Sequence, residues 1–429
     1  MRRTSTSLAL LAAGALLISS LSACHSRPEG GKPLRRTKQR VFVIGFDGMD
    51  PTLAQKYMDE GKLPNLKALA GEGVFSRLGS TQPSESPTAW SSFATGVNPG
   101  KHSIYDFLIR DLATYFPDFN MIKKEPPEFL WGLIPIKPPK ITSMRGGTSF
   151  WKTASADGVN SVVLTVPVTF PPEELHHGQM LGGLPLPDLR GTLGTFYYWA
   201  TDLSSYEEGN TEFGGFLKKL LLDGGVSETT LRGPESPILK QEEAKLREKK
   251  KQGALSEKEQ ARLDALATGK DINLPMTVRW TEGSGAADIE IQGQKVHLKA
   301  GEWSGWVPLT FKINALVSIH GITQFSVLEA GRELRIYGSP VNMDPRNPPV
   351  PITYPASFSK ELAAQIGLYR TLGWAESADK PLNEGRLDEA QFLYDSDRAM
   401  DDREKIIFKR LETDDWDLFV AAIETTDRI

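Results

Sequence analysis

The hydrophobic pattern along the chain switches between two periods. Val41–Phe46 is continuously apolar, as expected of a parallel strand covered on both faces. It runs into Asp47-Gly48, and Asp50-Pro51 then supplies an N-cap and a first-turn proline for a helix reaching about Glu60. Gly61 closes that helix, Pro64 opens another, and Gly71 and Gly73 follow it. The stretch SFWKTASADG predicts a helix closed by Gly158 and feeding a strand over Ser161–Pro167. Strand, helix, strand implies right-handed crossovers and a mostly parallel sheet, with ligands gathering beyond the carboxyl ends of its strands. The last apolar run, Leu418–Ile423, reads as one more buried strand, with Thr425, Thr426 and Asp427 where it opens into a loop.

Between Pro237 and Gly269 the chain is charge-rich, breaks at Gly253 and restarts at Ser256 with Glu259 in capping-box spacing, which predicts a solvated helical hairpin. From about Leu274 to Val341 the period becomes two, predicting short antiparallel strands in a small inserted β domain. The proline-rich stretch DPRNPPVPITYP returns to the core. The organisation read from these patterns is a leader over 1–23, a tether over 24–40, core over 41–236, hairpin over 237–270, β insertion over 271–345 and core again over 346–429.

Composition adds less than the N-terminus does. A chain of 429 residues with ordinary charged and apolar fractions is a folded protein of one large domain or a few average ones. Its net charge of −4, or −6 without residues 1–23, argues against nucleic-acid binding as the main task. Arg2 and Arg3, an apolar stretch from Leu8 to Ile18, and Leu21-Ser22-Ala23-Cys24 have the form of a bacterial lipoprotein signal. Cys24 is the one cysteine, so no disulfide forms within the chain, and lipidation there predicts an exported protein anchored to a membrane. His25 after the cysteine, where a retention signal would put Asp, favours the outer membrane of a Gram-negative cell.

Candidate chemistry concentrates in PSESPTAWSSFATGVNPGKHSI, residues 83–104. Ser86-Pro87 fits an N-cap and first-turn proline of a short helix ended by Gly96. The same serine is also a candidate nucleophile at the positive end of a helix, where an anion such as phosphate is favoured. A serine hydroxyl needs a base or a metal, and neither an adjacent histidine nor a Gly-x-Ser-x-Gly elbow is present. Metal activation with Asp47 as ligand is the better-supported option.

VIGFDGMDP (43–51) together with SPTAWSSFATGVNPGKHSIYDF (86–107) resembles the type I phosphodiesterase/nucleotide pyrophosphatase branch of the alkaline phosphatase superfamily. The likeness continues in PVTFPP, MLGGLPLPDLRGTLGT and GLYRTLGWAESADKPLNEGRLDEAQFLYD, covering most of 41–235 and 355–429. It implies an alkaline phosphatase-like α/β fold, two divalent metal ions, usually zinc, and metal-dependent hydrolysis of a phosphate ester through a phospho-serine. Asp47 looks like the metal-binding aspartate after the first strand, and Ser86 like the nucleophile and metal-bound serine, with Thr88 the competitor. Asp427 resembles the first residue of an Asp-x-x-x-His motif and would bind the second metal. The histidines of that motif would lie beyond Ile429, so the resemblance implies a C-terminally truncated enzyme, inactive as the isolated 429 residues. Ala89 stands where nucleotide pyrophosphatases carry an asparagine, so nucleotide preference is not implied. Asp188 and Arg190 match a loop bordering the site, as clamp or as scaffold, and His102 a structural position. The alternative from another class is a lipid-anchored binding protein on a degenerate phosphatase fold. Natural substrate and oligomeric state are left open.

Overall fold

The computed structural model describes residues 31–35, 39–203, 206–413 and 415–428. Cys24 and its leader lie outside the described residues. Among the described residues no helix is long and apolar enough to cross a membrane.

The core is a five-stranded sheet of β1 (Val41–Phe46), β2 (Ser161–Leu164), β3 (Gly178–Leu181), β4 (Thr353–Tyr354) and β5 (Leu418–Ile423). Its spatial order is β1-β5-β2-β3-β4, with the first four parallel and β4 antiparallel. All six residues of β5 are buried, and the strand's two-residue period sorts them between opposite faces. Phe419, Ala421 and Ile423 pack with Leu362, Ile406 and Ile407 on one side. Leu418, Val420 and Ala422 pack with Ala94 and Trp151 on the other. Helices therefore cover both faces, the α/β layering that the crossovers predict.

Two local expectations need correcting. Among the described residues β1 is an edge strand paired only with β5, leaving Val41 52% and Phe42 45% exposed rather than covered on both faces. The strand expected over Ser161–Pro167 ends at Leu164, because Thr165 takes a positive φ of 56°.

The helix predicted after Asp50 is α1 (Pro51–Asp59), capped by the Asp50 carboxylate, which accepts from Leu53 N at 2.7 Å. The short helix α2 (Ser86–Thr95) closes on Gly96 in the left-handed conformation. The charged hairpin is α3 (Pro237–Lys251) and α4 (Glu257–Thr268), with the Ser256–Glu259 capping box in place. Arg262 grips Glu242 through two 2.8 Å bonds, and Leu246, Leu263 and Leu266 form the hairpin's small core. The alternation expected from Leu274 is observed, with residues 274, 276, 278 and 280 of the strand Leu274–Trp280 buried. These β strands share sheets with segments preceding the hairpin: Leu274–Trp280 pairs with Val226–Leu231, and Leu334–Gly338 with Tyr197–Ala200.

Candidate active site

Parallel pairing puts the ends of β1 and β5 side by side, with Phe46 opposite Ile423. Asp47 extends the ladder, its N–H donating to Ile423 O at 2.9 Å. Just beyond β5, a single 3-10 turn over Thr425–Asp427 folds back over β1. Thr426 Oγ1 donates to Asp47 O at 2.6 Å, which fixes that turn against the end of β1. The approach is close enough to require glycine at 48. A β-carbon there would lie 2.7 Å from Asp427 Cα, and Gly48 also has a φ of +68°. Asp47 and Asp427, 380 residues apart in sequence, thus share one corner.

Ser86 reaches the same corner from α2, its Oγ donating to Asp47 Oδ1 at 3.2 Å. The structure shifts the expected cap by one residue: Glu85 is the N-cap, Ser86 the first helical residue and Pro87 the second. The serine hydroxyl turns toward Asp47 instead of back to its own helix. Glu85 makes no side-chain capping bond, so the first-turn N–H groups of Ser86 and Thr88 can serve an outside acceptor. Ser86 is half-buried, whereas Thr88 is 0% exposed and its hydroxyl has no hydrogen-bond partner. Trp90 lies across β1, and a β-carbon at Gly45 would meet its ring at 2.3 Å. That contact fixes how close α2, and hence Ser86, stands to Asp47.

Beneath this corner lie two acids that the sequence reading did not select. Glu424 directly follows β5 and Glu376 comes from the stretch GWAESADK; both are buried. Thr425 Oγ1 donates to Glu376 Oε1 at 2.6 Å, while Oε2 of Glu376 and Oε2 of Glu424 have no hydrogen-bond partner. Arg403 Nη2 stands 4.0 Å from Glu424, too far for a hydrogen bond. Burial therefore outweighs Arg403 and, with Glu376 beside it, pushes the Glu424 carboxyl up to about 8. Burial also raises the Asp427 carboxyl, opposed by Arg428 and reinforced by Asp47 and Glu376. Arg428 Nη1 lies 2.9 Å from Asp427 Oδ2, and its guanidinium stacks 3.9 Å above Trp374. The signal for Glu424 was an acid closing a fully apolar strand. Glu376 had no signal beyond its place in a family-like stretch.

The other candidates lie apart from this corner. Asp188 is buried and saturated, accepting from Thr192 N, Thr192 Oγ1 and Thr195 N. Arg190 pairs with Asp271 at 3.0 Å and donates to Gly233 O, which makes it a tie between loops. His102 is buried, accepts from Ile104 N through Nδ1, and so presents its Nε2 proton to Ser92 Oγ at 2.9 Å. Burial and Arg145 lower its pKa, consistent with a neutral structural histidine. His177 Nε2 bonds Lys32 O in the loop before β3. A cleft of about 500 Å³ along α1 contains none of the corner residues.

Asp47, Ser86 and Asp427 present hard oxygen donors suited to a divalent cation. Among the described residues, however, no group of three or more His, Cys, Asp or Glu is placed to hold an ion. These oxygens fit a metal as part of a ligand set.

Residues 41–234 match the family described as type I phosphodiesterase / nucleotide pyrophosphatase. No curated protein and no solved structure matches the chain.

Proposed function

We propose, from the match of residues 41–234 to the type I phosphodiesterase/nucleotide pyrophosphatase family, that the chain hydrolyses phosphate esters through Ser86. The observation that carries this reading is the bond from Ser86 Oγ to Asp47 Oδ1, at the amino end of a helix whose first N–H groups are open. The serine oxygen attacks phosphorus, the bond to the ester's leaving oxygen breaks, and the serine proton has Asp47 as its nearest acceptor. Water then cleaves the phospho-serine and restores the hydroxyl. The N–H groups of Ser86 and Thr88 take the charge that builds on the phosphoryl oxygens. Arg428, held flat against Trp374, orients the Asp427 carboxylate.

Asp47, Ser86 and Asp427 would be this chain's contribution to two divalent ions, zinc by the family's habit, which when bound would acidify the serine and screen phosphate charge. The substrate is taken to be met outside the cytoplasm, since Cys24 marks the protein for export and lipid anchoring.

The test is turnover of a chromogenic phosphodiester by the protein as its source cell makes it, compared with Ser86→Ala and Thr88→Ala. Loss with the first and retention with the second supports the reading. Turnover that survives Ser86→Ala and is lost with Thr88→Ala would overturn the assignment of Ser86, and no turnover by the wild type would favour the binding-protein alternative.

A further inference from the structure

Glu376 is fully buried, and the hydrolysis assigned to Ser86 gives it no part. Its Oε1 accepts from Thr425 Oγ1 at 2.6 Å, and its Oε2 has no hydrogen-bond partner among the described residues. Taking a carboxylate out of water for one neutral donor is costly, so the fold alone does not account for it. The residue it holds does. Thr425 opens the 3-10 turn Thr425–Asp427, which carries Asp427. A turn of three residues is weak by itself, with Asp427 N on Glu424 O and Arg428 N on Thr425 O as its backbone bonds. Its position is therefore set from outside.

The outside support is the stretch 370–380, which is tied down at both ends. Arg370 is buried and donates from Nη1 and Nη2 to the Asp395 carboxylate, at 3.0 and 2.8 Å, in the helix Glu389–Leu411. The same Nη1 donates to Ala375 O at 2.6 Å, one residue before Glu376. Beyond Glu376, Lys380 Nζ donates to Leu193 O and Gly194 O, at 2.6 and 3.1 Å. From this braced arch two side chains reach the turn. Glu376 holds Thr425, and Trp374, with the Phe107 ring 5.9 Å away, lies under the Arg428 guanidinium. Asp427 stands between the two grips, and Thr426, bonded to Asp47 O, is carried with it. A chain of contacts thus runs from Asp395 through Arg370, Glu376 and Thr425 to Asp427 and Asp47.

We propose that Glu376 is a positioning residue for the hydrolysis assigned to Ser86, setting through Thr425 where Asp427 and Asp47 stand. The inference rests on that reading of Ser86. A misplacement of about 1 Å at a reacting centre costs about 10²-fold in rate, so the hold on the turn matters more than the energy of its one bond. The role needs an acceptor for Thr425 and not a charge. Glu376→Gln keeps that acceptor, whereas Glu376→Ala removes it.

The experiment compares Glu376→Ala, Glu376→Gln and Thr425→Val with the wild type, in the protein as its source cell makes it. Its readouts are turnover of a chromogenic phosphodiester and hydrogen–deuterium exchange of peptides covering 424–428, with the unfolding midpoint showing that each sample is folded. The proposal expects Glu376→Ala and Thr425→Val each to lower kcat by about 10- to 100-fold with KM little changed. The double variant should lose no more than either alone. Glu376→Gln should return most of the loss, and only the other two should speed exchange over 424–428. Should Glu376→Ala not fold, Thr425→Val carries the comparison. Equal losses in Glu376→Gln and Glu376→Ala would overturn the proposal, because the carboxylate charge would then be what acts. Wild-type kcat or wild-type exchange in Glu376→Ala would overturn it too. A wild type that hydrolyses no phosphodiester defeats the assignment of Ser86, and exchange over 424–428 then decides alone whether Glu376 holds the turn.

Discussion

Two acidic clusters in this molecule look alike in sequence and differ in how their bonds are spent. In the loop after β3, Asp188 accepts three hydrogen bonds and Arg190 is engaged by Asp271 and Gly233. At the joined ends of β1 and β5, Ser86 reaches Asp47 with a single bond, and Glu376 and Glu424 each keep a buried oxygen without a hydrogen-bond partner. Buried polar groups are almost always satisfied, so a saturated cluster is explained by the fold alone, whereas unmet capacity asks for something else. The contrast teaches that the arginine and aspartate of LPDLRG hold the scaffold. The corner around Asp47 is where the proposed reaction would find groups not already committed to the scaffold.

The largest effect that could break this contrast is on turnover. Ser86→Ala should lower phosphodiester hydrolysis by more than about a thousandfold while moving stability by less than about 0.5 kcal/mol. Steady-state kinetics and a denaturant titration measure the two sides. The opposite profile belongs to Asp188→Ala, which strands the N–H groups of Thr192 and Thr195. It should cost about 2–4 kcal/mol of stability in the same titration.

A third prediction concerns pH. The Glu424 carboxyl is raised from an ordinary 4.5 to about 8, so the folded protein holds a proton that the unfolded chain releases earlier. Its contribution is complete below about 4.5 and is lost as pH rises through 8. Wild-type stability should therefore fall across that window, and Glu424→Gln should flatten the slope. Equal slopes would mean that Arg403 keeps the acid ionised. The smallest effect belongs to the solvated hairpin. Ser256→Ala removes the cap of α4 and should cost about 1 kcal/mol, with turnover untouched.

What the sequence made legible was local. The Asp50 cap, the Ser256–Glu259 box, the apolar run of β5 and the alternation of Leu274–Trp280 each depend on neighbours in the chain, and each is where it was expected. Asp47 and Asp427 were legible as strand-end acids, and pairing of β1 with β5 brings them to one corner. The errors are of another kind. Ser86 was expected to cap its own helix, but its hydroxyl is taken by Asp47, 39 residues away, and Glu85 becomes the cap. β1 reads as a central strand because six apolar residues say nothing about which edge remains unpaired. Glu376 meets Thr425 across 49 residues, a contact with no local trace. The three two-stranded ribbons between α2 and β2 were invisible because their strands are three or four residues long, too short for a period to emerge.

The most direct measurement of the central claim is acid-quenched mass spectrometry of the protein from its source cell, mixed with a phosphodiester and digested to peptides. The account predicts one phosphoryl group on Ser86, absent when substrate is withheld. A phosphoryl group on Thr88, or turnover with no labelled peptide at all, would contradict it.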